Sequence, residues 1–253
     1  MSFLSCRKTK RVSLALAQGK VNRGDGVHPF SGGLARRSPQ RYRGVAMNEE
    51  LTPPPNFALA AAIFEASLAI LAVALGWWLA EPPLATFRAS PMAFFLGATG
   101  AIPLLGLFAL CVWWPVGPLA SILRAVDHLL IPLFTQCRLV ELAVISLLAG
   151  LGEEMLFRGV FQAGLADWVA PWLGDGPAAG HAADMLALAV VAVAFGLLHA
   201  VNAAYAVLAG LIGLYLGWLW LATGDLAAPI TAHALYDFLA MVYLVKIRKK
   251  QTV

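Results

Sequence analysis

The stretch AGLGEEMLFRGVF, Ala149 to Phe161, places Glu153, Glu154 and Arg158 inside an apolar run that otherwise reads as a membrane span. A charged side chain at the centre of a bilayer costs roughly 2.5 to 3.5 kcal/mol on insertion scales, so three in one turn and a half are not incidental. Either they neutralise one another or they do chemistry, and both readings require that the surrounding chain be a membrane protein.

The composition meets that requirement. Of 253 residues, 60% are hydrophobic and only 13% charged, against about 25% charged in an ordinary soluble domain, and the mean hydropathy is +0.75. The net charge of +4 does not point to nucleic acid, because ten of the 18 Lys and Arg precede Met47 and the remaining eight face 13 acidic residues. Cys6, Cys111 and Cys137 show no CxxC spacing, so neither a disulfide framework nor a thiolate metal site is expected. The C-terminus, KIRKKQTV, carries no prenylation box, so the chain is not expected to be prenylated itself.

Residues 1–46 are polar and basic, and read as a disordered tail. The opening MNEELTPPPNF makes Met47 an equally good start for the protein, whose membrane domain is expected over residues 47–253 with its functional core at about 139–246. Six apolar blocks follow, each near the ~20 residues that a span needs. They run over Phe57–Ala80, Pro91–Trp114, Leu139 to about Leu165, Asp184 to about His199, Ala203–Ala222 and Ala227–Val245. Leu119–Phe134 mixes Arg124, Asp127 and His128 with leucines at helical spacing and predicts an amphipathic helix lying in the interface. DWVAPWLGDGPAAGHAAD, residues 167–184, reads as an interfacial loop. The fold class is therefore all-α, a polytopic membrane bundle of about six spans plus an interfacial helix.

A cytoplasmic N-terminus puts sixteen Lys and Arg inside and leaves only Arg88 outside, which predicts a multi-pass cell-membrane protein with both termini in the cytoplasm.

On a helix, residues four apart share a face, so Arg158 can pair with Glu154 and leave Glu153, about 100° round, free to react. Further polar groups sit in apolar surroundings: His199 in FGLLHAVN, and His233 and Asp237, four apart, in ITAHALYDF. A carboxylate and two histidines in a membrane cavity can activate water. Taken singly, each has a structural reading, as an interhelical hydrogen-bond partner or a buried ion pair that fixes packing. Glu65, alone in the first span, reads as a residue that snorkels or pairs locally. Depth is a difficulty. At 1.5 Å per residue Glu153 lies about 21 Å from the cytoplasmic end of its span and His233 within about 10 Å of the outer end of its own, while His199 falls near the cytoplasmic end of the fourth. Helix tilt, a longer fourth helix or a re-entrant fifth segment would bring them level.

EEMLFR fits EExxxR, FGLLH fits FxxxH and HALYD fits HxxxN/D. In this order on successive apolar helices they resemble the CPBP family, which includes type II CAAX prenyl endopeptidases and bacteriocin-processing or self-immunity proteins. The resemblance covers about Leu139 to Val245. It implies an intramembrane endopeptidase in which Glu153, helped by His199, activates water, while His233 and Asp237 stabilise the oxyanion and Glu154, Arg158 and Phe195 support them. Prenyl-endopeptidase members generally carry Asn where this chain has Asp237, and an ionised Asp cannot donate a hydrogen bond. The family has been described both as metal-dependent and as glutamate-dependent. Two His and a carboxylate would suit Zn²⁺, but without local HExxH spacing no metal ligands are assigned and no cofactor is favoured.

The expected function is hydrolysis of a peptide bond in a membrane-associated substrate, whether a CAAX-type, sorting-tag or leader peptide, with the lipid bilayer as the other partner and no nucleic acid. The alternatives are a proton-coupled transporter, against which no internal hydropathy repeat is visible, and a noncatalytic bacteriocin self-immunity protein.

Overall fold

The computed structural model describes residues 54–248, which contain helices and short connections and no strand. The tail over residues 1–46 and the start at Met47 lie outside the described residues. Among the described residues five helices are long and apolar enough to cross a membrane: α1 (Phe57–Leu79), α2 (Pro91–Trp113), and, after α3–α6 below, α7 (Pro177–Leu198), α8 (Ala203–Thr223) and α9 (Ala227–Val242), which continues as a π-helical segment to Arg248. Between α2 and α7 come α3 (Pro118–Ala125), a π turn over Val126–Leu130, and α4 (Ile131–Phe134), which together occupy the expected interfacial stretch. Then come α5 (Leu139–Glu154), a π-helical segment over Met155–Gln162, and α6 (Ala163–Leu173).

The third apolar block is thus helical but divided, and it is not among the five long helices. The expected loop at residues 167–184 is also mostly helix, since α6 runs to Leu173 and α7 starts at Pro177.

Local chemistry sets the helix starts. Ser90 accepts the Ala93 N–H at 3.1 Å ahead of Pro91, Glu141 accepts the Arg138 N–H at 2.7 Å, and Asn202 accepts the Tyr205 N–H at 2.9 Å. α8 ends at Gly224, whose φ of 63° takes the left-handed conformation that closes a helix.

The chain's two ends differ in charge. Lys246 donates to the Cys137 carbonyl at 2.5 Å, and Arg248 forks onto Asp127 at 2.5 and 3.0 Å, so the close of α9 is tied to the interfacial helices and the start of α5. Arg124 and Arg138 belong to these segments, which makes this the basic end. At the opposite end Asp225, before α9, binds the loop after α1. It accepts from the Arg88 N–H at 3.1 Å, the Ser90 hydroxyl at 3.1 Å and the Ala227 N–H at 3.0 Å. Burial alone would raise its pKa, but these donors outweigh burial and hold the carboxyl below its ordinary value. Exposed Trp77 and Trp78 close α1 at this end, and exposed Trp113 and Trp114 close α2 at the basic end, the levels at which indoles meet lipid headgroups.

α5 is the central helix. It packs between α1 and α9, and glycines permit the approach: a Cβ on Gly152 would lie 2.7 Å from the Glu65 carbonyl of α1, and one on Gly150 would lie 2.9 Å from the Ala234 nitrogen of α9. Small residues at helix crossings let backbones close in where lipid offers no hydrophobic drive. Large apolar side chains such as Phe64 and Ile70 on α1 and Phe95 and Ile102 on α2 point outward, as a lipid-facing surface requires. The protein is a multi-pass helical membrane protein.

Candidate active site

Glu153 and Glu154 are the last two residues of α5, buried where the π-helical segment begins. A π segment adds a residue to the turn and is frequent at functional sites. Here it carries Arg158 and Gln162 into the interior, each 1% exposed. Arg158 Nη1 donates to Glu154 Oε1 at 2.9 Å, Nη2 donates to the Gly213 carbonyl of α8 at 2.6 Å, and the guanidinium lies 5.1 Å from the centroid of the Phe195 ring. Such an arrangement compensates a charge by ion pair, carbonyl and π face together.

The same Glu154 oxygen faces His233 Nδ1 at 2.8 Å. A carboxylate already paired with Arg158 can only accept, so Nδ1 carries a hydrogen and donates it. Nε2 of the same ring stands 3.4 Å from Asp237 Oδ2, one helical turn on. His199 is fixed similarly. As the cap residue of α7 it places Nδ1 2.8 Å from the Phe195 carbonyl, which can only accept, so Nδ1 donates and Nε2 faces Glu153 Oε2 at 3.6 Å. Phe195 stacks on the His199 ring with centroids 4.3 Å apart and meets His233 edge-on at 6.4 Å.

The structure therefore brings together Glu153, His199, His233, Asp237, Glu154, Arg158 and Phe195. The expected difference in depth is not observed: α7 begins at Pro177, and the His199 that closes it stands 3.6 Å from Glu153. Its last turn stops level with Glu153. The short turn after it is covered from the basic end by α3, where Asn202 Nδ2 donates to the Ser121 carbonyl at 3.3 Å.

Glu153, Phe195, His199, His233 and Asp237 line one side of a cavity of about 220 Å³ whose remaining wall is mostly apolar and comes from α2, α3, α8 and α9. Tyr205, Tyr236 and Cys111 also line it. Sequence reasoning did not single out the tyrosines, which resemble packing aromatics in an apolar helix. It also set Glu65 apart. In the structure Glu65 lies within electrostatic reach of Glu153, Asp237, His233 and His199, with Oε2 buried and without a hydrogen-bond partner. Its position depends on the α1–α5 approach, which no local pattern announces.

Among the described residues no three of His, Cys, Asp and Glu converge as metal ligands. Both imidazole Nδ1 atoms are engaged, and the remaining donors form two separate pairs rather than the closed tetrahedral set that Zn²⁺ takes. The side chains as placed do not fit a zinc shell, and no step below is routed through a metal.

No curated protein and no solved structure matches the chain. Residues 135–239, the segment that contains all three motifs, match the family model described as Type II CAAX prenyl endopeptidase Rce1-like.

Proposed function

We propose that the protein is an intramembrane endopeptidase that cleaves a membrane-associated peptide with a water activated by Glu153 and His199. The observation that carries the reading is that Glu153 Oε2 and His199 Nε2 stand 3.6 Å apart and that both residues line the cavity. A carboxylate beside an imidazole on a cavity wall is a pair that can take a proton from a water. Glu153 takes one proton as the water oxygen attacks the scissile carbonyl carbon. The carbonyl π pair moves onto oxygen, the tetrahedral intermediate collapses with cleavage of the C–N bond, and the proton held by Glu153 passes to the departing amine. Glu154, clamped by Arg158 and His233, does not enter the proton transfer and instead sets the orientation of His233.

The mostly apolar cavity suits a substrate that arrives from the bilayer. By the positive-inside rule the basic end is cytoplasmic, and the cavity lies on that side of the bundle, against α3. Since the matched family is named for CAAX prenyl endopeptidases, the first probe is a farnesylated, internally quenched CaaX peptide, with its unprenylated twin and a leader-type peptide beside it. Purified protein in lipid nanodiscs should hydrolyse a peptide bond of at least one probe, and Glu153→Gln should abolish this while the protein stays folded. Proton flux across vesicles without any hydrolysis would instead favour transport.

A further inference from the structure

We propose that the groove between α6 and α7, beside the end of α1, binds a lipid with a primary ammonium head, its acyl chain along α7 and its ammonium between Glu81 and Asp167. The groove is separate from the catalytic cavity, and its ligand does not depend on what that cavity cleaves.

The groove measures about 700 Å³ and its lining is mostly apolar. Its α7 wall runs from Val190 to Leu198, about 12 Å at 1.5 Å per residue, and Phe157 and Leu165 line it from the π segment and α6. Val190, Leu198 and Trp168 are exposed, so the groove opens sideways from the bundle. In a multi-pass membrane protein the medium on that side is hydrocarbon. A concave apolar wall there gains its dispersion contacts from a lipid chain.

The charged residues of the lining choose the head, and they are Glu81 and Asp167. Glu81 closely follows Trp77 and Trp78, and Asp167 precedes exposed Trp168, so both carboxylates sit where indoles mark the headgroup level. Gly164 lets them meet. A Cβ there would lie 3.0 Å from Glu81 Cγ, and Asp167, three residues on, shares that face of α6. Burial first, and then the Asp167 charge, push the Glu81 carboxyl above its ordinary value.

Among the described residues neither carboxylate has an ion pair or a side-chain hydrogen bond, and Arg88 of the nearby loop does not line the groove. Two like charges at the mouth of an apolar groove are relieved by a cation that carries its own apolar chain. A primary ammonium suits them better than a quaternary one, because its three N–H donors can bridge two carboxylates. An anionic head is repelled.

The test reconstitutes the full-length protein in vesicles of equal parts phosphatidylethanolamine, phosphatidylcholine and phosphatidylglycerol with identical acyl chains. The lipids retained after transfer to detergent are then counted by native mass spectrometry. Wild type should retain phosphatidylethanolamine about three- to tenfold over phosphatidylcholine, the range that one or two partly exposed ion pairs supply. The double variant Glu81→Gln, Asp167→Asn should bring that ratio to about one. Ala194→Trp, on an exposed position of the α7 wall, should reduce retention of all three lipids. Equal retention of the three lipids by wild type, or a preference for phosphatidylglycerol, would overturn the proposal without recourse to any variant. So would an undiminished preference in the double variant, and so would displacement of the lipids by an added lysine-bearing peptide, which would give the groove to a protein segment instead.

Discussion

His233 Nδ1 and Arg158 Nη1 meet on one oxygen of Glu154, at 2.8 and 2.9 Å, and all three side chains are almost wholly buried. Three helical elements converge on that atom: α5 supplies the carboxylate, the π segment after it the guanidinium, and α9 the imidazole. Removing one partner would leave the others charged or polar with nowhere to turn. Arg158→Ala should therefore destabilise the fold by about 3 to 5 kcal/mol, the usual cost of breaking a buried pair, seen as a lower melting temperature and poorer yield in detergent. Arg158→Lys keeps the charge but lacks the second arm that reaches the Gly213 carbonyl, and should fall between the two. An Arg158→Ala protein that melts with wild type would show that Glu154 does not depend on it.

At the other end of the bundle, Asp225 links stability to pH. Burial raises its pKa, but the N–H groups of Ala227, Arg88 and Ser90 and the Ser90 hydroxyl outweigh burial, so the folded value lies below the unfolded one, about 3.9. A carboxyl with a depressed folded pKa contributes stability that is complete above the unfolded value and is lost as pH falls through the folded one. Melting temperature should thus hold from pH 7 down to about pH 4 on this group's account and decline below it. Asp225→Asn should melt lower at pH 7 and lose part of the acid-dependent decline. Parallel curves for the two proteins would contradict the assignment.

The crossing of α5 with α1 and α9 predicts a sharp dependence on side-chain size. Gly152→Ala drives a methyl against the Glu65 carbonyl at 2.7 Å, and Gly150→Ala against the Ala234 nitrogen at 2.9 Å, both backbone atoms that cannot step aside. Each change should cost about 1 to 3 kcal/mol by overpacking. Gly106→Ala on α2 meets nothing within 4 Å and should be neutral or stabilising by up to about 1 kcal/mol. Thermal melts of the three variants in one detergent would check the order.

The apolar blocks were legible because spans need length and hydrophobicity, which one chain displays without help from its neighbours. What was not legible were the features that contacts between helices set without a motif. The π segment over Met155–Gln162 has no residue pattern of its own, and its twist is visible only once Arg158 is seen reaching Gly213. The start of α7 lies seven residues before the expected Asp184, because Gly180, His181 and Asp184 look like loop. Glu65 and Tyr205 carry no motif. Their relation to the site comes from the α1–α5 approach and from the tight turn between α7 and α8.

A metal test follows from the imidazoles. With Nδ1 of His199 on a carbonyl and Nδ1 of His233 on Glu154, the free nitrogens belong to separate pairs. Peptide cleavage should persist after exhaustive chelation and dialysis, and elemental analysis should find well under one equivalent of zinc. Loss of activity that zinc restores would require the two pairs to close around an ion.

The sharpest prediction separates the two adjacent glutamates, which share chemistry, depth and near-complete burial but differ in partners. Glu154 has its Oε1 committed to two donors, while Glu153 faces His199 Nε2 across 3.6 Å and lines the cavity. If proton transfer runs through Glu153, then Glu153→Gln removes the base and should lower kcat by about 10²- to 10⁴-fold with little effect on melting, because an amide cannot take up the proton. Glu154→Gln should do the reverse. Its amide oxygen still accepts from Arg158 and His233, but the guanidinium loses its counter-charge, so the melting temperature should drop clearly while the folded fraction keeps most of its turnover. His199→Ala should resemble Glu153→Gln, since the pair proposed to activate water would lose its imidazole. Asp237→Asn, 3.4 Å from His233 Nε2 and outside the proton path, should change kcat by less than about tenfold. Measuring kcat and melting temperature for all four in the same nanodiscs gives two axes, and the expected result is that Glu153 and His199 fall along one and Glu154 along the other. Should Glu154→Gln silence a fully folded protein while Glu153→Gln cleaves at the wild-type rate, the base would be the wrong glutamate and the role of the Arg158 clamp would have to be assigned afresh.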